Sequence, residues 1–378
     1  MAFIGVGGGT NNKRGELKAG KGVCERGRRR RVVGPLMDRL GEGIYDSSTS
    51  PGDVRVVVFG ATGYIGRYVT TEFAKRGYQV SAFTREKSGV KGKNSVDDVR
   101  KDFADGVQVI SGDVSDPKSV VNAFGVEPKA KSTVMVSCLA SRTGGIEDSN
   151  KIDYQATLNC LEEGYATGSR HFILLSAICV EKPLLEFQRA KLRFEAKLQE
   201  LAEKDESFSY SIVRPTAFFK SLAGQVKRVK DGSAYIMFGD GELSKCNAIS
   251  ERDLADFIAN CASDPSKRNQ ILPVGGPGKP VTPKEQAEIL FRLLDKEPKF
   301  SKAPIGVMDV GISVLDFVSK LLPGVKDAAE FARIGKYYAV EDMVGPEYGS
   351  DTLEDFFTDV IENGLEGQEL GSAAVFSD

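Results

Sequence analysis

Val54-Arg-Val-Val-Val-Phe59 runs without a break into Gly60-Ala-Thr-Gly63-Tyr-Ile-Gly66 and then into a helical pattern ending at Lys75. The first six residues are mostly β-branched and bounded by glycine, which reads as a buried strand. The pattern over Gly66–Lys75 reads as a helix, and Gly77 suits its C-cap. The three glycines between strand and helix have a physical reason. They permit a tight turn and let backbone N–H groups approach a pyrophosphate at a helix N-terminus, where the dipole favours anions. The spacing is G-x-x-G-x-x-G rather than G-x-G-x-x-G, a weak signal alone that gains its weight from its place on the first strand. Gly60, Thr62, Gly63, Tyr64, Ile65 and Gly66 are therefore the candidate cradle for a dinucleotide.

Outward from this loop, short apolar runs alternate with helical patterns. Gln79–Phe83, Val107–Ser111, Val134–Leu139, Phe172–Ser176 and Tyr210–Val213 read as strands, and Asp116–Phe124, Ile152–Thr167 and Phe187–Glu203 as helices. Continuous apolar strands alternating with helices imply a parallel sheet covered on both faces. Right-handed crossovers make it an α/β doubly wound Rossmann fold, with its ligand at the carboxyl ends of the strands. The expected organisation is a nucleotide-binding domain over 51–214 and, over 215–365, the remaining strands plus a smaller C-terminal substrate lobe. Residues 1–50 are expected to be disordered, and 366–378 to form a flexible tail.

The end of the second strand distinguishes the cofactor. An NAD enzyme usually places an acid there for the ribose 2′-hydroxyl. Here the order is Phe83-Thr84-Arg85-Glu86-Lys87, with Thr84 at the acid position and Arg85 after it. A guanidinium takes a phosphate in bidentate fashion, so the reading is NADPH, with Arg85 on the 2′-phosphate. Asp113, in Gly112-Asp-Val114 after the third strand, is a candidate acceptor for the adenine amine.

Net charge is −2, which gives no global argument for nucleic acid. The first 50 residues are basic, with ten Lys and Arg against five Asp and Glu, and include the run Arg28–Arg31. They hold no long apolar stretch, which excludes a secretory signal and fits an organelle transit peptide or a basic arm. The six cysteines form no C-x-x-C pair and read as reduced core thiols; with the single histidine, His171, they suggest no metal site. No apolar run is long enough to span a membrane. Val307, Val310, Val314 and Phe317 form a helical stripe within 305–322, read as core or lid packing, with membrane-surface contact as the alternative.

The glycine loop, Gly112-Asp-Val114, Arg214-Pro215 and Asp253-Leu-Ala255 resemble the extended or atypical short-chain dehydrogenase/reductases. Three further stretches narrow this: Ser137–Gly145, Lys151–Thr157 and Pro183–Lys191. Together with Ala332–Tyr338, they resemble the NADPH-dependent divinyl chlorophyllide a 8-vinyl reductases of plants and algae, from about Val54 to Ile361. The resemblance implies a chloroplast protein with a transit peptide that reduces the 8-vinyl group of a divinyl chlorophyllide-type tetrapyrrole to ethyl. It also admits peripheral association with a thylakoid or envelope membrane.

The superfamily pattern of Ser, Tyr and Lys maps onto Ser176, Phe187 and Lys191, so the tyrosine is missing. Positions 187 and 191 share one helix face. The resemblance thus implies Lys191 on the nicotinamide ribose, Ser176 as a pocket hydrogen-bonder and Phe187 as an apolar wall. Pro215 is expected beside the cofactor, and Phe218 and Phe219 flanking a flat pigment. Losing the phenol removes the usual acid for carbonyl reduction, worth roughly 10²–10⁴-fold. Reduction of a conjugated carbon–carbon bond differs, because electron density delocalises into the macrocycle and the late proton goes to carbon. Water, Ser176 and Tyr154 stay open as its source. Two other readings stay open: a reductase of another conjugated alkene, and a catalytically silent NADPH-binding regulator or assembly factor.

Overall fold

Val54–Phe59 forms β1, with every residue buried. This is possible because both faces of the strand are covered. Val56 and Val58 face one apolar cluster with Ile65, Val69, Phe73, Leu254 and Ile258. Val57 and Phe59 face another with Phe83, Cys160, Phe172, Phe194 and Leu198. Arg55 interrupts the run yet is 2% exposed, its guanidinium donating to Ser81 Oγ at 2.9 Å and the Ala123 carbonyl at 3.0 Å.

The computed structural model describes residues 46, 48–88, 94–125, 130–321 and 326–364. The expectations for the basic leader and the tail, apart from residues 46 and 48–50, lie outside them. β1 pairs with β2 (Gln79–Thr84), which pairs with β3 (Gln108–Ser111). On its other side lie β4 (Ser132–Ser137), β5 (His171–Leu175), β6 (Ser209–Pro215) and β7 (Gln270–Val274). The order is β7-β6-β5-β4-β1-β2-β3, every pairing is parallel, and the strand order reverses at β1. That reversal is where a doubly wound sheet leaves a crevice for its ligand.

Helix α1 (Tyr64–Lys75) crosses from β1 to β2 and packs against α4 (Glu251–Ser263). The helix expected from Ile152 begins earlier: Ile146–Ser149, a π-helical turn Asn150–Ala156 and Thr157–Ala166 form one continuous helix, α2. Helix α3 spans Glu186–Lys204. A separate apolar cluster around Phe219, Val226, Met237, Leu290, Phe291 and Phe357 forms the core of the later segment. Two helices follow, α5 (Ile305–Leu321) and α6 (Lys326–Val340), packed on each other.

The α5 stripe corrects the expectation of core packing. Val307, Val310, Val314 and Phe317 are each more than half exposed. The opposite face holds the polar contacts, Asp309 with Lys336 and Asp316 with Arg333 of α6. His171 opens β5 fully buried, beside Ser209 Oγ at 2.8 Å, and burial pushes its pKa down to about 3. Cys160, Cys179, Cys246 and Cys261 are buried and unpaired, and Cys138 is half-buried; Cys24 lies outside the described residues.

Candidate active site

The glycine loop is held from three sides. Gly60 adopts φ +77°, and a Cβ there would sit 2.9 Å from the Cys138 carbonyl of the loop after β4. Gly63 donates its N–H to Gly60 O at 2.9 Å and caps α1. A Cβ on Gly66 would stand 2.0 Å from Gly60 O. Only glycine therefore lets the helix start this close to the strand. The first intrahelical bond runs from Arg67 N to Gly63 O at 3.1 Å. The preceding amides of Tyr64, Ile65 and Gly66 have no partner within the helix and carry its positive dipole end, as a bound pyrophosphate requires. Thr62 is half-exposed in the loop, whereas the Ile65 side chain is buried in the core. The Tyr64 hydroxyl donates to Glu251 Oε2 at 2.7 Å, and its ring lies 6.3 Å from that of Phe218.

The other candidates gather at the same carboxyl edge. Arg85 is exposed directly after β2, and Thr84 is buried. Asp113 follows β3, its Oδ1 accepting from Ser115 N at 2.8 Å in a turn. That bond holds its carboxyl below the usual range, helped by the nearby charges of Lys151 and Arg85. Arg85 and Asp113 thus follow adjacent parallel strands at the same edge of the sheet, near enough for their charges to interact.

Phe187, Lys191 and Glu195 occupy successive turns of one face of α3. Phe187 is half-buried and packs with Leu185, Ile334 and Tyr337. Lys191 is 7% exposed, with Nζ 3.1 Å from Asp153 Oδ1 and 3.5 Å from Leu175 O. Ser176 donates to Glu195 Oε1 at 2.5 Å, and Arg214 Nη2 meets Glu195 Oε2 at 2.5 Å. Sequence reading missed Asp153 and Glu195. Glu195 had a signal, since it continues the 187–191 spacing by one turn. Tyr154 lies beneath the Arg193 guanidinium, 4.7 Å from its ring centre. Phe219 is 2% exposed and packs on Phe356, 5.3 Å between ring centres; it is a core residue, and the pocket reading passes to Phe218. Pro215 ends β6, buried.

Helix α6 frames this edge. Asp327 Oδ1 accepts from Ile146 N at 3.1 Å, and Glu330 Oε1 from Glu186 N at 2.7 Å. Carboxylates of one helix thereby neutralise the positive ends of α2 and α3. Tyr337 donates to Cys179 O at 2.9 Å, fixing α6 over the loop after β5.

Residues 60–265 match the NAD(P)H-binding family. Over 340 residues the chain is 56% identical to a protein of Cucumis sativus named divinyl chlorophyllide a 8-vinyl-reductase, chloroplastic, covering 86% of this chain and 81% of the relative. The chain belongs to the divinyl chlorophyllide a 8-vinyl-reductase family. The Arabidopsis thaliana protein of the same name is 55% identical over 358 residues, covering 88% of this chain and 84% of its own length. Among solved structures, AtPrR2 with NADP+ and (+)pinoresinol superposes with a TM-score of 0.58 at 18% identity, covering 80% of this chain and 97% of that one. That likeness concerns the fold. In this 8-vinyl-reductase family member the glycine cradle opens the segment that matches the NAD(P)H-binding family.

Proposed function

We propose that this chain reduces the 8-vinyl group of divinyl chlorophyllide a to ethyl with NADPH, in the chloroplast. The observation that carries the reading is 54–56% identity to four plant 8-vinyl reductases, whose names give reaction and compartment, on a chain whose glycine loop fits a dinucleotide. When bound, the nicotinamide supplies the hydride. The chain supplies position and field. The amides after Gly63 hold the pyrophosphate, and Lys191 orders the nicotinamide ribose. Phe187 presents an apolar wall where carbonyl reductases hold a phenol, and Phe218 lies across the loop on the pigment side. Ser176 is engaged with Glu195, which leaves its hydroxyl a structural bond to the Arg214 pair. Anaerobic incubation with NADPH and 3,8-divinyl chlorophyllide a, followed by chromatography, tests the whole reading. Monovinyl product supports it; cofactor binding without conversion would favour the silent binder or another alkene.

NADPH over NADH rests on Arg85. Its replacement by alanine removes a charge-assisted contact of roughly 1.5–3 kcal/mol. We expect KM for NADPH to rise about 10- to 100-fold, as that energy implies, with KM for NADH nearly unchanged. Equal rises for both cofactors would sink Arg85 as the phosphate reader.

Peripheral membrane association is supported by α5. Val307, Val310, Val314 and Phe317 present one exposed apolar stripe, the arrangement of an interfacial helix. Among the described residues no helix is long and apolar enough to cross a membrane. The protein is expected to co-sediment with vesicles of chloroplast galactolipids, and Val310→Asp with Phe317→Asp to abolish this. Unchanged sedimentation of the double variant would refute the helix as anchor.

A further inference from the structure

Helix α2 does not coil evenly. At its π-helical turn, Thr157 Oγ1 donates back five residues to Ile152 O at 3.0 Å. Such turns are frequent at functional sites. This one separates two neighbours: Tyr154 lies under Arg193, while Asp153 is turned inward and 2% exposed. Asp153 Oδ1 stands 3.1 Å from Lys191 Nζ, and Oδ2 accepts from Ser141 N at 3.3 Å in the loop after β4.

The other groups near the ammonium do not compete for this place. Leu175 O, from β5, is 3.5 Å away. The Cys138 thiol, from the loop after β4, is pushed up to about 12 by burial and is uncharged near neutral pH. Glu195, on α3 itself, is taken by Ser176 and Arg214. Burying an ion pair is rarely a gain over apolar packing. Asp153 Oδ1 receives no aligned hydrogen bond, so stability gives no reason for keeping the pair.

We propose that Asp153 is a positioning residue for the reductase reaction. It fixes the Lys191 ammonium in direction and ties it to the loop after β4, at a site where Phe187 offers no hydroxyl to do so. The assignment rests on the reading of Lys191 as the ribose contact. The test is a double-mutant cycle on Lys191→Met and Asp153→Asn, with NADPH affinity read from the fluorescence of the bound reduced nicotinamide and kcat read separately. Each single variant is expected to weaken NADPH about ten-fold, and the double variant to be no weaker than Lys191→Met, as residues acting through one contact behave. Unchanged affinity in Lys191→Met would overturn the ribose reading and this assignment with it. Weakening in Lys191→Met but none in Asp153→Asn, or losses that multiply in the double variant, would overturn Asp153 alone. If Asp153→Asn does not fold, the double variant, which leaves no lone charge, still decides against Lys191→Met.

Discussion

Replacing Gly66 with alanine is expected to abolish measurable cofactor binding, and turnover with it. The added Cβ would lie 2.0 Å from Gly60 O, 2.8 Å from Gly60 C and 3.1 Å from the Ala61 Cα, all backbone atoms. Nothing in that set can rotate away. Gly60 has little room to retreat, since an added Cβ on it would already stand 2.9 Å from the Cys138 carbonyl, nor can α1 slide, because Val69 and Phe73 are fully buried beneath it. Relief comes only by lifting the start of α1 off the strand, which carries away the amides of Tyr64, Ile65 and Gly66. Overpacking of this kind costs about 1–3 kcal/mol or more in stability, and cofactor affinity falls further because the cradle itself is displaced. Gly77→Ala is the control. Gly77 has φ +83° and nothing within 4 Å of an added Cβ, so backbone strain alone acts, at roughly 1–2 kcal/mol. Calorimetric titration with NADPH and thermal melts of both variants separate the cases. Retained NADPH affinity in Gly66→Ala would mean that this loop does not hold the pyrophosphate.

The parts of the molecule that sequence reading found are those governed by local pattern. Strand β1 and the glycine loop were legible because a buried strand, a turn that excludes Cβ atoms and an amphipathic helix each leave a signature within a dozen residues. Lys191 was singled out by the superfamily's Ser, Tyr and Lys pattern, and the structure buries it. Its partner was not singled out, because Asp153 comes from another helix 38 residues earlier and is turned inward by a π turn that 3.6-residue periodicity does not reveal. The early start of α2, directly after Gly144 and Gly145, was not legible in the sequence. They are glycines because Ile334 and Asp327 of α6 press on them, and Asp327 then caps the helix. The α5 stripe shows a different limit. An apolar face at helical spacing announces that one side of a helix differs from the other, but it does not say what covers it. Here the inner side is joined to α6 by ion pairs and the apolar side faces outward. Phe218 and Phe219 were equivalent in sequence, and only the packing of Phe219 on Phe356 separates them.

Lys191→Ala is the second large effect, and it acts on two observables through one contact. With the ammonium gone, the Asp153 carboxylate stays 2% exposed and keeps a single backbone donor, Ser141 N. Breaking a buried pair in this way costs about 3–5 kcal/mol, since it leaves a charge without compensation. For a chain of this size that lowers the melting temperature by roughly 4–7 °C, at an unfolding entropy of about 2.1 cal/mol/K per residue. Turnover falls for a separate reason. If Lys191 orders the nicotinamide ribose as proposed, that group loses the donor that sets its orientation, and misplacement by about 1 Å can cost of the order of 10²-fold in rate. We therefore expect kcat with divinyl chlorophyllide to drop at least that far at saturating NADPH, assayed well below the lowered melting temperature. The neighbouring Arg189 supplies the contrast. It is exposed, and its contacts are to Glu186 in the first turn of the same helix and to the Leu184 carbonyl just before it. Arg189→Ala removes an exposed pair worth at most about 1 kcal/mol, and kcat is expected to stay within about two-fold. If Lys191→Ala behaved like Arg189→Ala in both melt and turnover, Lys191 would be an ordinary helix residue and the active centre would have to be sought elsewhere along the carboxyl edge of the sheet.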